Sequence, residues 1–484
     1  MHREQISVYP VQRRVIFLAF FIISSFLAAQ QNKVRLNSME KVKERFWYQY
    51  LDRESPDFQV PEIISEVYES GATLHRLNRG QVPQTRVTLL FSGGEMEENE
   101  MNSGLTSLWS ELLVFSGSKN TPRDKLSSSL EQRASSLSAS SDLRQAVMSL
   151  GSLSVYFLED FRLLEEILLD PNFAEEDLAI LKSQVLQGIA RRAESPARAL
   201  SLSAKKVLFP KGPRGLVSTN ASIDSIGVDQ IKAWHEKMVC SKRLNILLTG
   251  FYDESTLAAI EQLTTKIQQS CDLPDADLLK VSLSRPNSSV YHLPMDIPQS
   301  TLIFYGEGVP HNSPDYYTWR LFDYILGGSS FNSVMTRKIR TEMGFAYSAY
   351  SSLSSDAVFG RSILFTQTAN ETLQPVENII SDLLDNPEKY VTDDSIELAK
   401  TSLTNKLVFL YETPSQYLKL WYDLKLDGLD QKYLETFPQN LNSVTREQIL
   451  RYAKKYYNKQ NFYKFVASPA NLVKEENKAI ISLP

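Results

Sequence analysis

Leu105, Leu108, Leu112 and Phe115 recur at intervals of three and four, which places them on one face of a helix that stops at Ser116-Gly117-Ser118. Ahead of it, residues 72–77 and 86–91 carry strand-type runs, parted by the turn Asn78-Arg79-Gly80 and closed by Gly93-Gly94. Serine dominates residues 127–141, yet Leu130, Ala134, Leu137 and Leu143 are spaced through and just beyond it, so this is folded chain and not a linker. A strand is expected over 146–155 and a helix over 159–169. A longer helix starts at Glu175-Glu176-Asp177, whose charges suit a helix N-terminus. A strand at 244–249 and a helix at 255–269 complete the first half.

The same order of patterns then returns. Pro83-Gln84-Thr85 ahead of a strand matches Pro298-Gln299-Ser300, 215 positions on. Glu175-Glu176-Asp177-Leu178 matches Asp393-Asp394-Ser395-Ile396 at 218, and Glu194-Ser195-Pro196 matches Glu412-Thr413-Pro414 at the same offset. Gln230-Ile231 with Trp234 and Lys237 matches Gln448-Ile449 with Tyr452 and Lys455, again 218 apart. Near-constant spacing of this kind implies an internal duplication. Two homologous α+β domains are expected, over 61–271 and 290–470, because runs of strands followed by runs of helices favour α+β over an alternating parallel sheet. A polar, proline-marked connector (272–289) separates them. Residues 30–60, with Phe46-Trp47-Tyr48-Gln49-Tyr50, form a lead-in segment, and 471–484 a tail.

Composition adds limits. At 484 residues, with 42% hydrophobic and 23% charged positions, the chain is of globular type. Its 52 basic and 57 acidic residues leave −5, with no run of one sign, which argues against nucleic acid as a partner. Arg3, Arg13 and Arg14 precede an apolar run over 15–29, the form of an export segment. It is shorter than the roughly 20 residues of a bilayer span, and is either a cleaved signal or a retained N-terminal anchor. The protein is expected to be exported, periplasmic or secreted, and to meet a membrane only through that segment. Cys240 and Cys271 would then be either a disulfide or two separate buried thiols.

Residues 104–120 resemble the first helix of the insulinase-like (M16) zinc peptidases, where His-x-x-Glu-His precedes a short run and Gly-Thr-Lys-Asn. With Gly117-Ser118-Lys119-Asn120 as the anchor, that motif falls on Leu108-Trp109-Ser110-Glu111-Leu112. Both histidine positions are leucine, and only Glu111 remains, at the general-base position. The family's third ligand lies in a helix resembling Glu-x-x-Val-Ile-Leu-x-Glu. Its counterpart, 181–188, has Leu181 and Gly188 at the glutamate positions. A hydrolytic zinc needs three protein ligands and an open position. The resemblance therefore implies a metal-free member without a cofactor, in which Glu111 is a remnant with no bound water to activate. The five histidines (His2, His75, His235, His292 and His311) offer no pair at helical spacing. No Gly-x-Ser-x-Gly or P-loop replaces the lost motif, and His235 five residues before Cys240 matches no nucleophile pattern.

Residues 326–348 resemble the family's second-domain signature: a Gly-Gly turn, a helix ending in arginine, then a tyrosine seven positions on. Here these are Gly327-Gly328, Arg340 and Tyr347. In active members the pair holds the substrate carbonyl, work suited to a guanidinium and a phenol facing an oxygen that gains charge. Alternatively, Arg340 caps its helix and Tyr347 packs a strand. Over residues 67–468 the resemblance implies two lobes facing like a clamshell across a chamber for extended peptides. It further implies a heterodimer with a zinc-bearing homologue, or self-association, with zinc only in the partner. A structural or peptide-binding scaffold, or an autonomous hydrolase with different chemistry, are the competing expectations.

Overall fold

Two six-stranded sheets carry the molecule. The computed structural model describes residues 61–484, apart from 79–81, 281–282, 284–289, 330, 431 and 475–477. The export-type segment (1–29), the lead-in (30–60) and part of the connector lie outside the described residues. The first sheet holds β1 (Ile64–Val67), β2 (Thr73–Leu77), β3 (Gln84–Ser92), β4 (Ser136–Ser141), β5 (Gln145–Leu153) and β6 (Leu244–Gly250), in the order β1-β2-β6-β3-β5-β4. The second holds β7 (Val290–Pro294), β8 (Gln299–Glu307), β9 (Ala346–Ser355), β10 (Gly360–Ala369), β11 (Phe462–Ser468) and β12 (Lys478–Ile480), in the order β12-β7-β11-β8-β10-β9. Strand for strand, β2-β6-β3-β5-β4 repeats as β7-β11-β8-β10-β9, so the duplication read from spacing is a duplication of topology. In both halves the pairing of the first strand with the last (β2 with β6, β7 with β11) is parallel, and the three that follow are antiparallel. The outer strands differ. β1 joins its sheet antiparallel, whereas β12 joins parallel from within the segment read as a tail.

Fourteen α-helices accompany the sheets among the described residues. In the first half they are α1 (Leu105–Ser116), α2 (Arg123–Gln132), α3 (Phe157–Leu169), α4 (Glu175–Ala190), α5 (Pro196–Leu208), α6 (Asn220–Ser225), α7 (Val228–Met238) and α8 (Glu254–Lys266). In the second they are α9 (Tyr316–Asp323), α10 (Leu373–Asp385), α11 (Asp393–Lys406), α12 (Pro414–Leu426), α13 (Lys432–Ser443) and α14 (Arg446–Tyr456). The alternation of the strands decides which face they cover. β4 turns Leu137 and Ala139 toward α1 and leaves Ser136, Ser138 and Ser140 exposed. The first core gathers α1, α3, α7 and α8 on that inner face, around Leu89, Trp109, Leu164 and Ile260. The second core is its counterpart around Trp319, Phe322, Leu383 and Ile449.

Two helices cross between the halves. α5, from the first half, lays Ala199, Leu200, Ala204 and Leu208 on Tyr291, Ile303 and Phe465 of the second sheet, forming a third core. α12, from the second half, packs on β2 and β6 of the first sheet, where Trp421 meets the His75 ring at 5.0 Å and Ser415 hydrogen-bonds Thr249 at 3.0 Å. Each of the segments 61–271 and 290–470 thus contributes one helix to the other's sheet. Ion pairs cross the same boundary, Arg144 to Asp427 at 2.6 Å and Arg214 to Asp356 at 2.5 Å. Among the described residues no helix is long and apolar enough to cross a membrane.

Candidate functional site

α1 is held at both ends by backbone geometry. At its start the Glu98 carboxylate accepts from the Gly104 and Thr106 amides at 2.9 and 2.7 Å, satisfying donors that a first turn leaves free. At its end Gly117 adopts φ 71°, and a Cβ there would meet the Thr121 carbonyl at 2.4 Å, so glycine is required. Between these ends Leu108 and Leu112 are 1% and 0% exposed, inside the first core with Leu178 and Leu181. Burying such a side chain contributes about 1.5–3 kcal/mol. Both zinc-ligand positions thus serve packing.

Glu111 points outward and accepts from the Ser107 hydroxyl at 3.0 Å. Gly188 lies on the open side of α4, with no atom within 4 Å of where a Cβ would stand. A glutamate would fit there, so the missing ligand is a matter of chemistry and not of space. Leucine, leucine and glycine provide no donor for zinc, and the site does not fit the metal. Among the described residues no group of three His, Cys, Asp or Glu side chains is placed to hold a metal.

His235 and Cys240 do not form a dyad. Cys240 and Cys271 are joined as a disulfide with Cα atoms 6.4 Å apart. His235 accepts from the Trp109 indole on Nδ1 at 3.2 Å and donates from Nε2 to the Leu168 carbonyl at 3.0 Å. Burial pushes its pKa down to about 4, so it is a neutral core histidine that orients Trp109.

In the second half, α9 runs into a π-helical turn (Tyr324–Gly328), and a second π-helical stretch (Thr336–Glu342) carries Arg340. Gly327 is needed because β9 passes so close that a Cβ would meet the Ser351 amide at 2.2 Å. The Arg340 guanidinium lies 4.6 Å from the Tyr347 ring centroid and 5.8 Å from that of Phe331. Tyr347 is 82% exposed on β9, and Phe331 is 74% exposed. The structure brings Arg340 and Tyr347 together, and adds Phe331, which the sequence pattern did not single out. Neither Arg340 nor Tyr347 lines the cavity beside the first sheet. That cavity, about 1200 Å³, opens between the serine-bearing face of the first sheet and α12, with Arg86, Ser138, Ser149, Thr249, Lys419 and Asp423 among its walls. Hydrophobic periodicity carries no mark of it, because its floor is made of the polar positions of the strands.

Two lobes of repeated topology, with leucine, leucine and glycine at the zinc-ligand positions, define a peptidase-type fold without its zinc ligand set. Residues 77–207 match the insulinase (peptidase family M16) model and 225–403 the peptidase M16 inactive domain model, and the chain belongs to the M16 peptidase family as an inactive homologue. It is 25% identical over 379 residues to the non-peptidase homologue YmxG of Helicobacter pylori, covering 76% of this chain and 85% of that one. Against an uncharacterized zinc protease of Rickettsia felis it is 22% identical over 350 residues, 71% of this chain and 82% of the other. Among solved structures, a peptidase M16 inactive domain from Pseudomonas fluorescens superposes with a TM-score of 0.75 at 23% identity, over 85% of this chain and 99% of that one. The periplasmic protease PqqL of Escherichia coli superposes with a TM-score of 0.70 at 16% identity, over 86% of this chain and 46% of PqqL.

Proposed function

We propose that the chain is a non-catalytic subunit that pairs with a zinc-bearing M16 homologue and lends Arg340 and Tyr347 to the binding of peptide substrates. The observation that carries this reading is a half-buried guanidinium stacked on a solvent-exposed phenol, on a chain whose two helix α1 zinc positions are buried leucines. A side chain already ordered by stacking loses less freedom when it engages a ligand. Its N–H donors, with the phenol beside them, suit a peptide carbonyl that gains negative charge. The pair lies outside the cavity between the first sheet and α12, on a surface that a second chain could complete. The likeness to PqqL supports the same stoichiometry, because this chain spans 46% of PqqL. Export is supported by the N-terminal segment and by the paired cysteines, in keeping with a periplasmic structural neighbour.

A second reading, a scaffold with no part in hydrolysis, draws on the description of YmxG as a non-peptidase homologue. Coexpression with a zinc-bearing homologue from the same source separates the two. Arg340→Ala and Tyr347→Phe should each lower peptide turnover by the complex, by roughly 100-fold for a lost transition-state donor, with assembly unchanged on size exclusion. Glu111→Gln should leave turnover unchanged. Equal turnover in all three variants would select the scaffold.

A further inference from the structure

Arg86 leaves β3 on the cavity side of the first sheet and lies across the neighbouring strand at Gly151. A Cβ at Gly151 would come 2.8 Å from Arg86 Nη2 and 3.0 Å from the Ser136 hydroxyl, so the absence of a side chain there is what lets the guanidinium rest on the sheet. Arg86 Nη1 donates to the Ser149 hydroxyl at 3.2 Å. The register puts Arg86, Gly151 and Ser136 in one row across three strands, and Thr88, Ser149 and Ser138 in the next. A cation is thereby set among hydroxyls on the floor of a cavity. Among the described residues no carboxylate pairs with it. Of the two carboxylates that line the same space, Asp423 is held by Lys419 at 2.6 Å on its own helix, and Glu412 stands just before that helix. A guanidinium has five N–H donors in a planar fork that matches a carboxylate bidentately. One donor is engaged by Ser149, which leaves the rest of the fork for a ligand.

We propose that Arg86, backed by Ser136, Ser138 and Ser149, is a carboxylate-binding subsite for an extended peptide lying in this cavity. The proposal rests on the reading that the chain binds peptides, and adds a second contact, inside the cavity and apart from Arg340 and Tyr347, that selects which peptides it prefers. The space exceeds the roughly 300–1,000 Å³ of ordinary small-molecule pockets, as several residues of extended chain require. Successive outward rows on a strand repeat at about 6.8 Å, the same period as alternate side chains of an extended peptide. The carboxylate comes either from the peptide's C-terminus or from an acidic side chain.

Calorimetric titration of the full chain with short alanine-serine peptides tests this in three forms: free acid, C-terminal amide, and amide with one internal glutamate. Amidation should weaken binding by at least about tenfold, and recovery by the internal glutamate would assign the site to a side chain. Arg86→Ala should bring acid and amide to the same affinity. Gly151→Ala should do likewise with the charge retained, because its new methyl lifts the guanidinium off the sheet. Peptides that bind with no regard to their carboxylates, or a preference that survives Arg86→Ala, would remove the subsite and leave the peptide-binding reading standing. Failure of every peptide to bind would overturn both the subsite and the peptide-binding cavity, while turnover by the paired complex tests Arg340 and Tyr347 separately.

Discussion

At the scale of single residues, this protein's histidines show how burial replaces catalysis. His235 sits between an indole donor and a carbonyl acceptor, a pair of partners that only the neutral ring satisfies. His75 is fully buried under Trp421, with Ser65 at Nδ1, and burial with the nearby Lys425 charge pushes its pKa down to about 4 against a smaller upward pull from Asn245. Both folded values lie below the ordinary 6.5, so the unfolded chain takes up protons first. Their contribution to stability is complete above pH 6.5 and is lost as pH falls toward 4, at about 1.4 kcal/mol per pH unit for each ring. Buried Asp323 opposes them. Burial raises its pKa to about 6, so its contribution grows as pH falls from there toward the ordinary 3.8. A His235→Gln variant isolates one ring. Its urea midpoint should fall less steeply than that of the parent between pH 6.5 and 4.5, and equal slopes would show that His235 does not titrate in this way.

At the scale of elements, α1 has kept the outline of a zinc-binding helix and turned its ligand face into core. Leu108 and Leu112 are one turn apart and closed off from solvent, whereas Glu111, between them in sequence, is outside. The helix has not moved its carboxylate; it has lost the chemistry beside it. Leu112→His should therefore lower stability by about 2–4 kcal/mol, since it trades a packed side chain for a buried polar ring without partners. The double variant Leu108→His, Leu112→His should take up no stoichiometric zinc, because Gly188 still offers no third donor. Thermal melting and metal analysis of the dialysed protein check both statements. Stoichiometric zinc in the double variant would mean that a third ligand exists elsewhere.

At the scale of the whole molecule, the exchange of α5 and α12 makes each half depend on the other. The second sheet's outer face is covered by Leu200 and Leu208 from the first half, and His75 of the first sheet is covered by Trp421 from the second. Arg144 and Asp427 add a largely buried ion pair across the boundary, and losing one partner of such a pair costs about 3–5 kcal/mol. Residues 61–271 and 272–484 produced separately should each fail to give a cooperative melt and a monomeric elution, and should regain both on co-refolding. A cooperative melt from either fragment alone would show that the exchanged helix is dispensable.

Local patterns determined a good deal. Periodicity located α1, β3, β5 and α3, the spacing between matched motifs determined the duplication, and the motif itself places leucine, leucine and glycine where the family carries its zinc ligands. These are properties of neighbouring residues, and a linear pattern records them directly. Four features were decided only by the tertiary structure: the exchange of α5 and α12, the edge position of β12, the stacking of Phe331 on Arg340, and the cavity floored by Arg86 and Gly151. Each brings together residues far apart in the chain, or depends on how closely one backbone approaches another. Cross-strand register and helix placement create those contacts, and no local period of hydrophobic positions encodes them.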